Sequence, residues 1–146
     1  MTIPSMQSHN SSHGAAIIHT KNDSSGPGPE IMAADTLEGN EVINHVGEKL
    51  GDIRHIMLDV PGGQIAYAVL SFGGFLGMGD KLFAVPWSAL TLDADRKCFV
   101  LNVNQEQLEA APGFDKDHWP QMADLTWATS VHEYYGKPPY WDRDDE

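Results

Sequence analysis

Pro61-Gly62-Gly63 stands between two long β-patterned runs, and this junction restricts the possible folds more than any other feature of the chain. Proline fixes one backbone angle and glycine reaches conformations closed to other residues, so the trio predicts a hairpin. The run before it, Leu50 to Val60, puts Ile56, Leu58 and Val60 on one face by the period of two. The run after it, Gln64 to Phe72, puts Ile65, Tyr67 and Val69 on one side and Ala66, Ala68, Leu70 and Phe72 on the other. A strand that is apolar on both faces belongs in the middle of a sheet, covered from two sides.

Shorter runs flank the hairpin. Val42-Ile43 precede the turn residues of "NHVGE", and Lys81 to Val85 predicts a strand that Pro86 ends or places at an edge. "SALTLDADRKCFVLNV" then reads as a turn, a short strand, a turn from Asp93 to Lys97, and a strand carrying Phe99, Leu101 and Val103. Short strands at this spacing, with no long helix between them, predict a mainly β fold, a small antiparallel barrel or sandwich. Two helices should follow. Asn104 can cap "QEQLEAA" with Gln107 bonding back, and Pro112-Gly113 ends it. Asp124 can cap "LTWATSVHEYY", where Trp127, Val131 and Tyr134 or Tyr135 recur at helical spacing before Gly136 and Pro138-Pro139 stop it.

The expected organisation has three parts. Residues 1–34, rich in Ser, Asn, Gly and Pro, read as a disordered tail in which only Ala15 to Ile18 offer an apolar patch. Residues 35–119 form the β domain, and residues 120–146 a C-terminal helix with an aromatic and acidic end. The 146 residues suffice for one domain with a proper core.

Charge narrows the function. A formal net charge of −12, with nine Lys and Arg in all, opposes nucleic-acid binding, which is driven by cations displacing counterions. It also weakens attraction to anionic membranes, and it can steer a basic partner. No run approaches the roughly 18 to 20 apolar residues of a membrane helix, and the N-terminus lacks the basic start and apolar centre of a secretory signal. The expectation is a cytoplasmic protein with no membrane insertion. The single Cys98 excludes an internal disulfide and lies in the apolar run "KCFVLNV", where a buried, inert thiol is expected.

The stretch "SFGGFLGMGDKLFAVPW", residues 71–87, raises the question of phosphate binding. Gly74 and Gly79 have the separation of a P-loop, but Asp80 stands where the lysine belongs, Lys81 is one place late, and Leu82 replaces the hydroxyl residue. An aspartate there repels phosphate. The setting is also strand–loop–strand, not the strand–loop–helix of a dinucleotide fold. Gly73, Gly74, Gly77 and Gly79, like Gly62 and Gly63, are therefore read as turn glycines. A plain turn does not need Phe75, Leu76 and Met78. Either they fold over the open end of a barrel, or they form an exposed apolar patch that meets a partner.

No catalytic constellation emerges. His132-Glu133 lacks the second histidine of a zinc-protease helix, Lys137 holding the nearest comparable place, and neighbours on a helix point apart. His118 beside Asp117 suits capping or surface hydrogen bonding, and His45 and His55 read as solvated residues. No GxSxG elbow surrounds Ser71 or Ser88. The chain is read as a non-enzyme with no metal site and no cofactor.

The succession "VGEKLGDIRHIMLD", "GGQIAYAVLSFGGFLGMGDKLFAVPWSAL", "LNVNQEQLEAAPGFD" resembles the PRC-barrel family, over roughly Asp35 to Trp119. Gly47-Glu48 with Leu50-Gly51, Tyr67-Ala68-Val69 and the Gly73 to Pro86 block carry the likeness, and "HEYYGKPPYW" is similar to tails of stand-alone bacterial members. The resemblance implies a small, strongly bent β-barrel that acts as a protein-interaction module. Family roles include stabilising a quinone-binding reaction-centre complex, contacting a ribosomal protein, and serving division-related assemblies. The sequence shows neither the membrane helix of the first setting nor the separate preceding domain of the second, so neither role is carried over. The expectation is an adaptor or scaffold, with a homodimer as one form. Its contact residues are Phe75, Leu76 and Met78, supported by Trp87. The alternative is a small-ligand or proton-handling module, and an unrecognised hydrolase or isomerase is the minor third reading.

Overall fold

The computed structural model describes residues 14–18, 30–72 and 81–141. Among these residues seven strands form one sheet: β1 (Ala16–Ile18), β2 (Glu41–Ile43), β3 (Lys49–Asp59), β4 (Gln64–Phe72), β5 (Lys81–Pro86), β6 (Leu90–Asp93) and β7 (Cys98–Leu101). Two helices follow, α1 (Gln105–Ala110) and α2 (Leu125–Tyr135). The strand order is β1-β6-β7-β2-β3-β4-β5, so among the described residues the sheet is not closed and β1 and β5 are its edges. It is strongly curled nonetheless. Val42, Ile53, Leu70, Phe83, Leu92 and Phe99, one from each of β2 to β7, share a single buried cluster, which a flat sheet does not allow.

Four pairings are antiparallel, as expected for the barrel, but β1 runs parallel to β6 and β2 parallel to β7. Both parallel strands come from N-terminal segments remote in sequence from their partners, and no local pattern announces such a pairing. The β3–β4 hairpin forms as its turn predicts. Gly63 takes φ +72, its N–H reaches the Asp59 carbonyl at 2.8 Å, and the Gly62 N–H reaches the Asp59 carboxylate at 3.1 Å.

The β3 face differs from the simple period. Register shifts between Ile53 and His55 and between Met57 and Leu58 each rotate the pattern. Leu50 and Ile53 are therefore buried, while Leu58 is 62% exposed and Val60, already in the turn, 80% exposed. β4 meets its expectation of two covered faces. Ala68 and Leu70 enter the barrel core, while Tyr67 turns outward to a second cluster with Ala84, Ala128 and Val131 beneath α2. The C-terminal helix thus packs on its own barrel.

Local chemistry fixes the connections. The buried Asn44 side chain accepts N–H bonds from Val46 (3.1 Å) and Glu48 (2.9 Å) and donates to the Glu48 carboxylate (2.8 Å), which shapes the "NHVGE" turn. Asp93 accepts from the N–H groups of Asp95 and Arg96, both at 3.2 Å, and so turns β6 into β7. Asn104 and Gln107 form the predicted reciprocal cap of α1 (2.7 and 2.8 Å), which aims Leu108 into the barrel core. The Asp124 side chain caps α2, and Gly136 ends it in the left-handed conformation. The Tyr134 hydroxyl ties α2 to α1 through the Gln107 carbonyl, at 2.6 Å. At the β5 edge, Leu82 and Phe114 exchange two backbone bonds of 2.8 Å.

Part of the segment read as a tail is structured. Ala16–Ile18 forms β1, and Met32 packs against the barrel core ahead of Asp35. Apolar side chains in a polar setting found partners that composition does not reveal.

Candidate functional site

Trp87 is the sequence-predicted contact residue that the structure describes. Pro86 closes β5, and a 3-10 turn from Trp87 to Ala89 swings the indole to the rim of the barrel. The ring is half-buried and meets Phe99 edge-on, with centroids 5.7 Å apart. It lines a cavity of about 310 Å³ together with Ala15, Ile17, Met32, Ile65 and Phe99. An adjoining cleft of about 560 Å³ shares Met32, Leu37 and Leu92 with it and continues past Ile31, which is 71% exposed. The rim is therefore an apolar trough. Such concave apolar surface suits partner side chains, and one aromatic anchor can carry much of the binding free energy.

Phe75, Leu76 and Met78, with Gly73, Gly74, Gly77 and Gly79, lie outside the described residues. Gly62 and Gly63 sit in the β3–β4 turn and do not themselves line the trough.

The histidines divide by environment. His45 and His55 are exposed, His55 against the Trp119 ring at 5.6 Å. His118 Nδ1 lies 2.7 Å from the Asp115 carboxylate; that bond, with the Asp117 N–H, holds the Asp115 carboxyl below its ordinary value. This is the surface hydrogen bonding its sequence context suggests. His132 behaves differently. It is buried on α2 among Tyr67, Tyr140 and Trp141, with ring centroids 5.5, 5.8 and 5.3 Å away. Its Nδ1–H donates to the Ala128 carbonyl at 2.8 Å, which leaves Nε2 as an acceptor. Among the described residues, His132 Nε2 and the Tyr67 hydroxyl are both buried without a hydrogen-bond partner. Burial raises the Tyr67 phenol far above its ordinary value, with a smaller contribution from Tyr140.

The helical period could have found this cluster. His132 lies four residues after Ala128 and on the same stripe as Val131 and Tyr135, which sets it apart from its neighbour Glu133. Glu133 is exposed, so the two side chains do point apart. Cys98 is buried as expected, and burial, with Asp93 nearby, raises its thiol. Among the described residues, no group of three His, Cys, Asp or Glu is placed to hold a metal ion.

The buried His132 should make stability pH-dependent. Burial lowers its value, and the bond to Ala128 only partly offsets this. Below about pH 6.5 the unfolded chain takes up a proton that the folded chain refuses, so stability is full above that point and falls with pH. The slope for one proton is about 1.4 kcal/mol per pH unit until the folded ring itself titrates. Urea unfolding at about pH 7.5 and about pH 5.5 should show a smaller loss in His132→Leu than in wild type. Equal losses would assign the acid sensitivity elsewhere.

A bent, open sheet wrapped on one core, with an aromatic at an apolar rim, defines a small β-barrel module. Residues 29–108, more than half of the 146, match the family described as PRC-barrel domain, and the chain belongs to that family. No curated protein matches it. No helix among the described residues is long and apolar enough to cross a membrane.

Proposed function

We propose that the chain is a non-enzymatic cytoplasmic adaptor that binds a protein partner, with self-association into a homodimer as one form of that activity. The observation that carries this reading is Trp87: a large aromatic held half-buried on a short 3-10 turn, over an apolar cavity at the barrel rim. Interfaces draw most of their free energy from a few such anchors. Phe75, Leu76 and Met78 supply apolar side chains within six residues of sequence after the end of β4, and the reading assigns them to the same contact. The net charge of −12 favours a basic partner through long-range steering.

The test is affinity capture from the native cell lysate with wild type and with Leu76→Asp, each checked for folding by circular dichroism. The expected result is a protein retained by wild type and weakened at least about tenfold, roughly 1.4 kcal/mol, by the substitution. Identical retention by both would remove residues 75–78 from the contact.

A second reading, a small-ligand or proton-handling module, is favoured by the buried and unpartnered His132 Nε2 and Tyr67 hydroxyl. A ligand that binds only the folded chain must raise its melting temperature. A screen with no thermal shift would leave the adaptor reading as the stronger.

A further inference from the structure

β1 is an unusual member of this sheet. It has three residues, paired in parallel with β6 as Ala16 to Thr91, Ile17 to Leu92 and Ile18 to Asp93. The Ala94 N–H extends the ladder to the Ile18 carbonyl at 3.0 Å. Ala16 and Ile17 are half-buried and Ile18 is exposed, so no β1 residue is fully enclosed. Yet Ala15 and Ile17 pack against the barrel core and form one wall of the cavity that Trp87 and Phe99 line from the other side. Residues 19–29, which join β1 to the barrel, read "HTKNDSSGPGP" and add no large apolar side chain.

The opposite edge of β6 is held quite differently. It pairs with β7 over four antiparallel positions, from Leu90–Leu101 to Asp93–Cys98. Parallel pairs are slightly weaker per residue, and three of them fix little on their own. β1 is thus a short extended peptide seated on a sheet edge, with one branched apolar side chain placed against a cavity. That arrangement is the pattern of strand addition, where backbone bonds give affinity and alternate side chains give selectivity.

We propose that the outer edge of β6, with the Trp87–Phe99 cavity, is a strand-accepting site for an extended apolar segment of a partner protein, occupied in cis by β1. The segment that fits runs parallel to β6 and carries a small residue followed by a β-branched one, as Ala16-Ile17 do. It carries no charge at the place of Ile17. β1 competes through its tether, which keeps its local concentration high, so a free peptide binds wild type poorly. The inference rests on the adaptor reading, and its test leaves residues 75–78 unchanged.

The probe is a fluorescein-labelled synthetic peptide of residues 12–20, titrated into the full chain and followed by polarisation. Ile17→Asp in the chain unseats β1. Saturable binding to this variant, at least about tenfold tighter than to wild type, is the expected result. A peptide carrying the same Ile17→Asp change should bind neither. No saturable binding to the folded variant, or equal binding to both chains, would overturn the proposal. So would failure of the Ile17→Asp chain to fold, since β1 would then be an integral strand.

Hydrogen exchange on wild type supplies an independent reading. The Ala94 amide should exchange at least about tenfold faster than the Phe99 amide of β7, and equal protection would count against a removable β1. Exchange of β1 between two copies, seen as a wild-type dimer lost in Ile17→Asp, would assign the edge to self-association and overturn the partner assignment. A Leu76→Asp chain that keeps every captured protein defeats only the role of residues 75–78, because the peptide titration leaves that segment unchanged.

Discussion

Gly51→Ala is expected to cost the fold about 3 kcal/mol or more, a large part of the 5–15 kcal/mol typical of a domain. Gly51 lies in β3 with φ +155, opposite Val42 of β2. A Cβ placed there would sit 2.4 Å from the Ser71 carbonyl oxygen, 3.2 Å from the Ser71 carbonyl carbon and 3.6 Å from the Phe72 Cα. All three are backbone atoms of β4. No side-chain rotation relieves the contact, so β3 must move away from β4 where Asp52 pairs with Ser71. The flanking Leu50 and Ile53 are both buried in the core and would be dragged with it. Urea unfolding gives the measurement. Gly47→Ala is the comparison, because its φ is +87 but nothing lies within 4 Å of the added atom. Left-handed strain alone should cost that variant about 1–2 kcal/mol. If Gly51→Ala were no worse, the close approach of β3 to β4 would not be what holds the bend.

This glycine also shows where the sequence was legible and where it was not. Leu50-Gly51 belongs to the pattern that resembled the family, but the reason for it, a backbone carbonyl from a strand twenty residues away, is a property of the curled sheet. Local codes are legible. The Pro61-Gly62-Gly63 turn, the two apolar faces of β4, the Asn104–Gln107 cap and the Asp124 cap depend on residues within a few positions of one another. What escaped depends on distance. The two register shifts in β3 re-aim Leu58 without any glycine or proline to mark them, and the parallel pairs of β1 and β2 join segments separated by most of the domain. His132 is the intermediate case. Its place on the buried stripe of α2 follows from the 3.6-residue period, but its partner Tyr67 lies on β4 and only packing brings them together. At the candidate site, the aromatic character of Trp87 was legible. The trough beneath it was not, because Ile17 and Met32 come from a stretch whose composition read as a tail.

Phe99→Ala should destabilise the chain by about 3–5 kcal/mol. The ring is fully buried in β7, within the cluster shared by six strands, and it forms the inner wall of the cavity of about 310 Å³. Truncation removes its buried surface and also merges its own volume with that cavity, so the surrounding side chains cannot close on the space. Trp87→Ala should cost less, about 1–3 kcal/mol, because the indole already faces solvent on one side. The two rings meet edge-on, and a double-mutant cycle should return a coupling of about 0.5–1.5 kcal/mol. The difference matters for function. If Trp87→Ala stays folded while Phe99→Ala does not, the inner wall of the trough is structural and its outer wall is free to change with the partner. A cost below about 1 kcal/mol for Phe99→Ala would mean that the barrel collapses readily onto the missing ring. The cavity would then be a deformable surface, and partner selectivity would have to come from the backbone edge of β6.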